Sequence, residues 1–199
     1  KWPSMGPGPE GDGEIVYQQG SSLRLLDLAT QKSTAVAVSI PGDRPRLRRQ
    51  IVDAAENIRG ASISPTGKRV AIEARGDIWT APAQHGTPRN LTATSGVAER
   101  YPAWSPDGRW VAYFSDATGE YELFVQQSDG RGETRRLTDD GSYWRYRPVW
   151  SPDSKMIGFT DKTGAILLHT IETKQTKPVD RDPSGDAPSI RWALDSRWL

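Results

Sequence analysis

One phrase, repeated along the chain, limits what this sequence can fold into. Tyr101-Pro-Ala-Trp-Ser-Pro-Asp-Gly-Arg-Trp-Val-Ala-Tyr113 is followed by a near copy, Arg147-Pro-Val-Trp-Ser-Pro-Asp-Ser-Lys-Met-Ile-Gly-Phe159. A shorter version, Ser64-Pro-Thr-Gly-Lys-Arg-Val-Ala-Ile72, precedes both, and a worn one, Trp192-Ala-Leu-Asp-Ser-Arg-Trp-Leu199, comes last. Each copy reads as a short strand, a tight turn and a second strand. Proline presets φ at the second turn position, the Asp carboxylate bonds back to its own backbone, and Gly accepts positive φ. The Gly or Ser of the turn falls at Gly13, Gly67, Gly108, Ser154 and Ser196, in steps of 54, 41, 46 and 42 residues. A second spacing agrees with the first. Thr92, Thr138 and Asp180 each lie 13 residues before Ser105, Ser151 and Ala193. Two periods that hold together make chance a poor explanation.

Every unit has the same internal order. The strand after the turn (Ile15–Tyr17, Arg69–Ala74, Trp110–Ser115, Met156–Thr160) leads through a short connection to an apolar strand (Leu23–Leu28, Ile78–Ala81, Leu123–Gln127, Ile166–Ile171). A hairpin and a last strand follow (Thr34–Val38, Arg89–Thr92, Arg135–Thr138, Lys177–Asp180). Short strands joined by hairpins, repeating at this period, are the signature of a β-propeller blade. The expected fold is all-β, a β-propeller of about four consecutive four-stranded antiparallel blades. Residues 1–199 form one segment, with units at about 1–60, 61–101, 102–147 and 148–189 and a partial unit at 190–199. A blade is apolar on both faces and must stack on its neighbours. Trp104, Trp150 and Trp192 are expected to fill the space between blades. The uneven ends, including a first residue that is Lys, read as a stretch of a larger six- or seven-bladed ring. Open blade faces would then allow self-association.

Composition narrows the function classes. With 26 basic and 25 acidic residues, nothing marks a nucleic-acid footprint. The absence of cysteine removes disulfides, thiol nucleophiles and Cys-based zinc sites. No apolar run approaches the roughly 18–20 residues of a membrane span, and no leader-like stretch is visible. Cytoplasm and bacterial periplasm both fit. The long first step reflects an extra segment, Ser39 to Gly60, with a basic run at Arg44, Arg46, Arg48 and Arg49. Its neighbours Asp43, Asp53 and Glu56 favour a solvated connection over a polyanion site.

The repeats resemble the propellers of tricorn-type serine proteases and, more distantly, of TolB. The resemblance rests on Ala74-Arg-Gly-Asp-Ile-Trp79, on Pro88-Arg-Asn-Leu-Thr92 and above all on the run from Thr94 to Asp153. It covers about Glu14 to Leu199. In tricorn-type proteins such propellers precede a PDZ module and a serine-protease domain, and are thought to gate or guide peptides. The resemblance therefore implies a non-catalytic scaffold, whose partners are peptides or a protein, the rest of the propeller and a protease domain. The alternative is a TolB-like propeller that docks a protein partner.

The residues themselves carry little chemistry. His85 falls in a hairpin and His169 in a strand, where sibling units carry Leu26, Ala81 and Gln126. No Gly-x-Ser-x-Gly elbow is present. No catalytic residue, cofactor site or metal site is expected, and the acids Asp180, Asp182 and Asp186 lack the spacing of a calcium loop. The best candidates for contact with a peptide or partner lie in the loops leading to the innermost strands: Arg100, Tyr101, Trp144, Arg145, Tyr146 and Arg147. Tyr and Arg side by side suit peptide backbones and carboxylates. The same side chains could instead bridge neighbouring loops.

Overall fold

The structure is a computed structural model that describes residues 3–8, 11, 13–20, 22–39, 42, 53–141 and 143–199. The basic run Arg44, Arg46, Arg48 and Arg49 lies outside the described residues. By contacts the chain divides into two compact units, Lys1–Ile51 and Val52–Leu199.

The first unit holds one antiparallel sheet in the order β1 (Ser4–Gly6), β2 (Glu14–Gln19), β3 (Ser22–Asp27), β4 (Ser33–Val36). A hydroxyl–hydroxyl bond of 2.7 Å between Tyr17 and Ser33 and the 2.9 Å bond from Arg24 Nε to Ser33 Oγ pin its outer edge.

The second unit holds three more sheets of four strands each. They are β5 (Ile58–Ile63) to β8 (Arg89–Asn90), β9 (Glu99–Trp104) to β12 (Arg135–Arg136), and β13 (Arg145–Trp150) to β16 (Gln175–Arg181). Between lie β6 (Arg69–Ala74) and β7 (Asp77–Pro82), β10 (Trp110–Ser115) and β11 (Glu122–Gln127), and β14 (Met156–Asp161) and β15 (Ala165–Thr170). Each sheet is a meander whose strands pair in chain order, so the fold is an all-β propeller with four blades. A 3-10 turn at Ala55–Asn57 is the only helical element among the described residues. The innermost strands β5, β9 and β13 pack side by side. The unit boundaries drawn after 60, 101 and 147 fall inside these three strands, because a blade as a hydrogen-bonded sheet starts before its Trp-Ser-Pro phrase.

The period of two explains why β10, the strand after the third blade's turn, is almost wholly apolar. Successive side chains of β10 point to opposite faces. Val111 and Tyr113 join Ala71, Ile78 and Leu91 of the second blade in one core. Ala112 and Phe114 join Trp150, Ile157 and Phe159 of the fourth blade in the other. The Phe114 and Phe159 rings meet edge to face with centroids 5.5 Å apart. A strand sandwiched in this way has no polar face to show.

The turns repeat atom for atom. Ser105 Oγ donates to Asp107 Oδ1 at 2.6 Å and accepts the Trp110 N–H at 2.9 Å, while Asp107 Oδ1 also accepts the Arg109 N–H at 3.0 Å. Ser151, Asp153, Lys155 and Met156 do the same in the next blade. Burial pushes the Asp107 carboxyl up, but the bonds from Ser105 and Arg109 outweigh it and hold the group below its ordinary range. The last copy keeps the turn although Ala193-Leu194 stands in place of Ser-Pro. Its Ala193 N–H bonds Trp198 O at 2.8 Å, and Arg197 N–H bonds Asp195 Oδ1 at 3.0 Å.

The tryptophans link blade to blade as expected. Trp150 Nε1 donates to Ala103 O of the preceding blade at 3.0 Å, and Trp192 Nε1 donates to Val149 O at 3.0 Å. Trp150 is buried, whereas Trp104 is half-buried and spends its N–H on Gly108 O of its own turn at 3.2 Å.

Candidate functional site

The segments that lead into β9 and β13 carry the six residues singled out above, and the structure sorts them into three groups. Arg100 and Trp144 form a bridge between the third and fourth blades. The Arg100 guanidinium carbon lies 4.9 Å from the Trp144 ring centre, and its Nε donates to the Tyr121 hydroxyl at 3.0 Å. Tyr121 and Trp144 meet edge to face with centroids 4.7 Å apart. Tyr121 was not legible as a partner, since it follows a Gly-Glu turn in a different part of the repeat.

Arg145, expected among the contact residues, is buried instead. It is 4% exposed, and its Nη1 bonds Glu122 Oε2 at 2.8 Å and Thr138 Oγ1 at 2.7 Å. Its Nη2 reaches Asp140 Oδ1 at 2.7 Å, and the guanidinium lies 5.3 Å from the Phe159 ring centre. Thr138 Oγ1 in turn donates to Glu122 Oε2. With both terminal nitrogens bonded and its guanidinium beside a buried ring, Arg145 is part of the joint between blades, not of an open surface.

The remaining three, Tyr101, Tyr146 and Arg147, line one cleft of about 440 Å³ together with Val149, Thr160 and the stretch 187–190. Arg147 is exposed, and the two tyrosines are half-buried. Val149, Pro188 and Ile190 give an apolar wall, while the phenols and the guanidinium supply directional hydrogen bonding. Apolar walls with a few polar groups are the usual make-up of a binding cleft. The stretch Ala187-Pro-Ser-Ile190 was overlooked, yet the repeat placed it. Counted back from Trp192, Ser189 stands where Tyr101 stands before Trp104 and Arg147 before Trp150.

Tyr101 is held in an unusual backbone conformation. Its φ is +57°, in the left-handed region that disfavours a side chain, at a break in the β9–β10 register. Its N–H donates to Glu73 Oε2 of the second blade at 3.0 Å. Glu73 is only 4% exposed and occupies the strand position filled by Phe114 and Thr160 in the next two blades. A buried carboxylate at a place where the third blade has phenylalanine thus fixes the direction of Tyr101.

His85 is exposed in its hairpin. His169 is fully buried, with Nδ1 3.0 Å from Thr176 Oγ1 and Nε2 unpartnered, and burial pulls its pKa below the ordinary histidine value. Neither histidine lines the cleft. Among the described residues no group of three or more His, Cys, Asp or Glu side chains is placed to hold a metal ion. No helix among them is long and apolar enough to cross a membrane.

Over 191 residues the chain is 30% identical to tricorn protease homolog 1 of Streptomyces coelicolor, matching 93% of this chain and 18% of that protein. It is 29% identical over 128 residues to the putative tricorn protease homolog 2 of the same organism, 62% of this chain and 11% of that one. The chain therefore spans less than a fifth of the length of these curated relatives. Among solved structures, TolB from Acinetobacter baumannii superposes with a TM-score of 0.54 at 20% identity, covering 87% of this chain and 42% of TolB. The match is to propeller repeats, and the tricorn-type propellers expected from the sequence are among the relatives found. The family model described as the TolB beta propeller domain (PD40) matches residues 17–192, and the chain belongs to that family.

Proposed function

We propose that this chain is a non-catalytic propeller scaffold, part of a larger ring, that guides peptide segments toward a catalytic domain elsewhere in a tricorn-like serine protease. The observation that carries the reading is the cleft at Tyr101, Tyr146 and Arg147, built on the innermost strands with an exposed guanidinium beside two half-buried phenols. An extended peptide offers backbone amides to the phenols and carbonyls or carboxylates to the guanidinium. Rigid strands hold these groups in place, so little ordering free energy is lost on binding.

The test is fluorescence anisotropy with a labelled, unstructured peptide of mixed sequence. Tyr146→Ala with Arg147→Ala should weaken saturable binding about tenfold, the scale of one or two lost charge-assisted bonds. In the parent protein the same pair should raise KM for peptides while leaving kcat unchanged, as expected when binding is lost equally from ground and transition states. Absence of saturable peptide binding would end this reading and favour a TolB-like module that docks a folded partner.

A further inference from the structure

We propose that the groove between the third and fourth blades, on the side of the Ser-Pro-Asp turns, is a docking site for an extended acidic segment carrying an apolar side chain. This groove is separate from the cleft described above and encloses about 360 Å³. Its floor is apolar: Val125 and Leu137 of the third blade face Ile171 of the fourth, with Trp110 as one wall. Its rim is cationic, with four basic side chains against two acids among the lining residues. Asp107 is already bonded to Arg109 at 2.7 Å. Arg135 lies over Trp110, its guanidinium carbon 4.9 Å from the ring centre. Lys155 and Lys174 are exposed and close no salt bridge among the described residues. The rim is left with positive charge to offer, and charge complementarity selects an acidic partner.

The preceding blade supplies an internal control. The matching groove between the second and third blades also holds about 360 Å³, but Arg69 occupies the strand position of Trp110 and Thr80 that of Val125. There Arg69 Nη2 is spent on Thr80, at 2.8 Å to its hydroxyl and 3.1 Å to its carbonyl. The fourth blade carries Met156 at the same position. Arg, Trp and Met all serve the fold there, so packing alone does not call for the half-exposed Trp110. Tryptophan beside a cationic rim provides flat apolar surface at which an anchor residue can be desolvated.

The experiment uses a fluorescein-labelled, blocked hexapeptide, Asp-Glu-Leu-Phe-Asp-Glu, titrated with the purified protein. Saturable binding that weakens as salt rises is expected. Lys155→Glu with Lys174→Glu, two exposed surface changes, should weaken it at least about tenfold. Trp110→Arg, which installs the residue of the second blade, should also remove it with the circular dichroism spectrum unchanged. Arg89→Glu with Arg131→Glu in the other groove, and Tyr146→Ala in the cleft, should leave it intact. No binding, equal binding of the neutral peptide Asn-Gln-Leu-Phe-Asn-Gln, insensitivity to the double lysine reversal, or displacement by a uridine 12-mer at lower concentration would each overturn the proposal.

Discussion

The joint between the second and third blades and the joint between the third and fourth use the same repeat positions with different electrostatics. In both, a threonine hydroxyl at the end of the outer strand accepts the N–H of a core residue, Ile78 to Thr92 at 3.1 Å and Leu123 to Thr138 at 2.9 Å. In both, an acid opens the third strand, Asp77 or Glu122, and a charged residue opens the next innermost strand. That residue is Arg145 in one joint and Glu99 in the other. At Arg145 the threonine proton goes to Glu122 while the guanidinium closes the network. At Glu99 the single hydroxyl proton of Thr92 faces two carboxylates, Glu99 at 3.0 Å and Asp77 at 3.5 Å, and Thr94 supplies a further bond of 2.6 Å. The repeat sets where polar groups meet between blades. The individual residue sets whether they attract.

Breaking the satisfied joint should have the largest effect. Arg145→Ala leaves Glu122 buried at 4% exposure without its cation, and loss of one partner of a buried pair costs about 3–5 kcal/mol. Urea denaturation should show a lower midpoint, and Arg145→Met combined with Glu122→Leu should recover much of it, since apolar pairs of similar volume substitute well. A midpoint shift under about 1 kcal/mol for Arg145→Ala would mean that the ion pair is solvated after all.

The unsatisfied joint should respond the other way. Burial, with the charges of Asp77 and Asp116 added, raises the Glu99 carboxyl above its ordinary 4.5. Native Glu99 then binds a proton that unfolded Glu99 has released, so its contribution to stability falls as pH rises from 4.5 through the raised value. Glu99→Gln should stabilise the protein at pH 7 and much less near pH 4. An equal gain at both pH values would show that the carboxylate is not the source.

The third-to-fourth joint carries the opposite pH response. His169 lies on the same face of β15 as Leu167, which packs into that core, and burial holds its pKa below 6.5. Unfolded histidine takes up a proton that the native one refuses, so stability is lost as pH falls below 6.5. His169→Gln, the residue found at the matching position of the third blade, should remove that acid sensitivity. Acid should therefore favour one joint and weaken the other, and hydrogen exchange at Ile78 and Leu123 can follow the two separately.

These contrasts explain what could be read beforehand. Strand positions, turns and the back-linking tryptophans were legible because period and turn chemistry are local properties of sequence. The cleft was half legible, because Tyr101 and Arg147 share one repeat position. Arg145 was not, since Tyr143-Trp-Arg-Tyr-Arg147 looks uniformly cationic and aromatic, and simple alternation would put both arginines on one face; Arg145 is buried and Arg147 exposed in a strand whose register with β14 shifts between Tyr146 and Val149. Its partner Glu122 is 23 residues away and belongs to the preceding blade. Glu73 escaped notice for the same reason, its acceptor role being fixed by the Tyr101 backbone 28 residues on.

The smallest expected effect tests how adjacent turns are tied. Ser154 Oγ accepts the Asp107 N–H at 3.0 Å, and Ser196 Oγ accepts the Asp153 N–H at 3.1 Å, so each turn is hitched to the one before it. The turn of the third blade has Gly108 at that position and no hydroxyl to give. Ser154 holds φ at +61°, where a side chain carries a cost of about 1 kcal/mol that glycine avoids. Ser154→Ala loses the bond and keeps the strain, and should cost about 1 kcal/mol. Ser154→Gly loses the bond but relaxes the backbone, so the two terms should nearly cancel. The difference between the variants measures the strain directly. If Ser154→Gly were as damaging as Ser154→Ala, the hydroxyl alone would account for serine at that turn, and the glycine of the third blade would need a separate explanation.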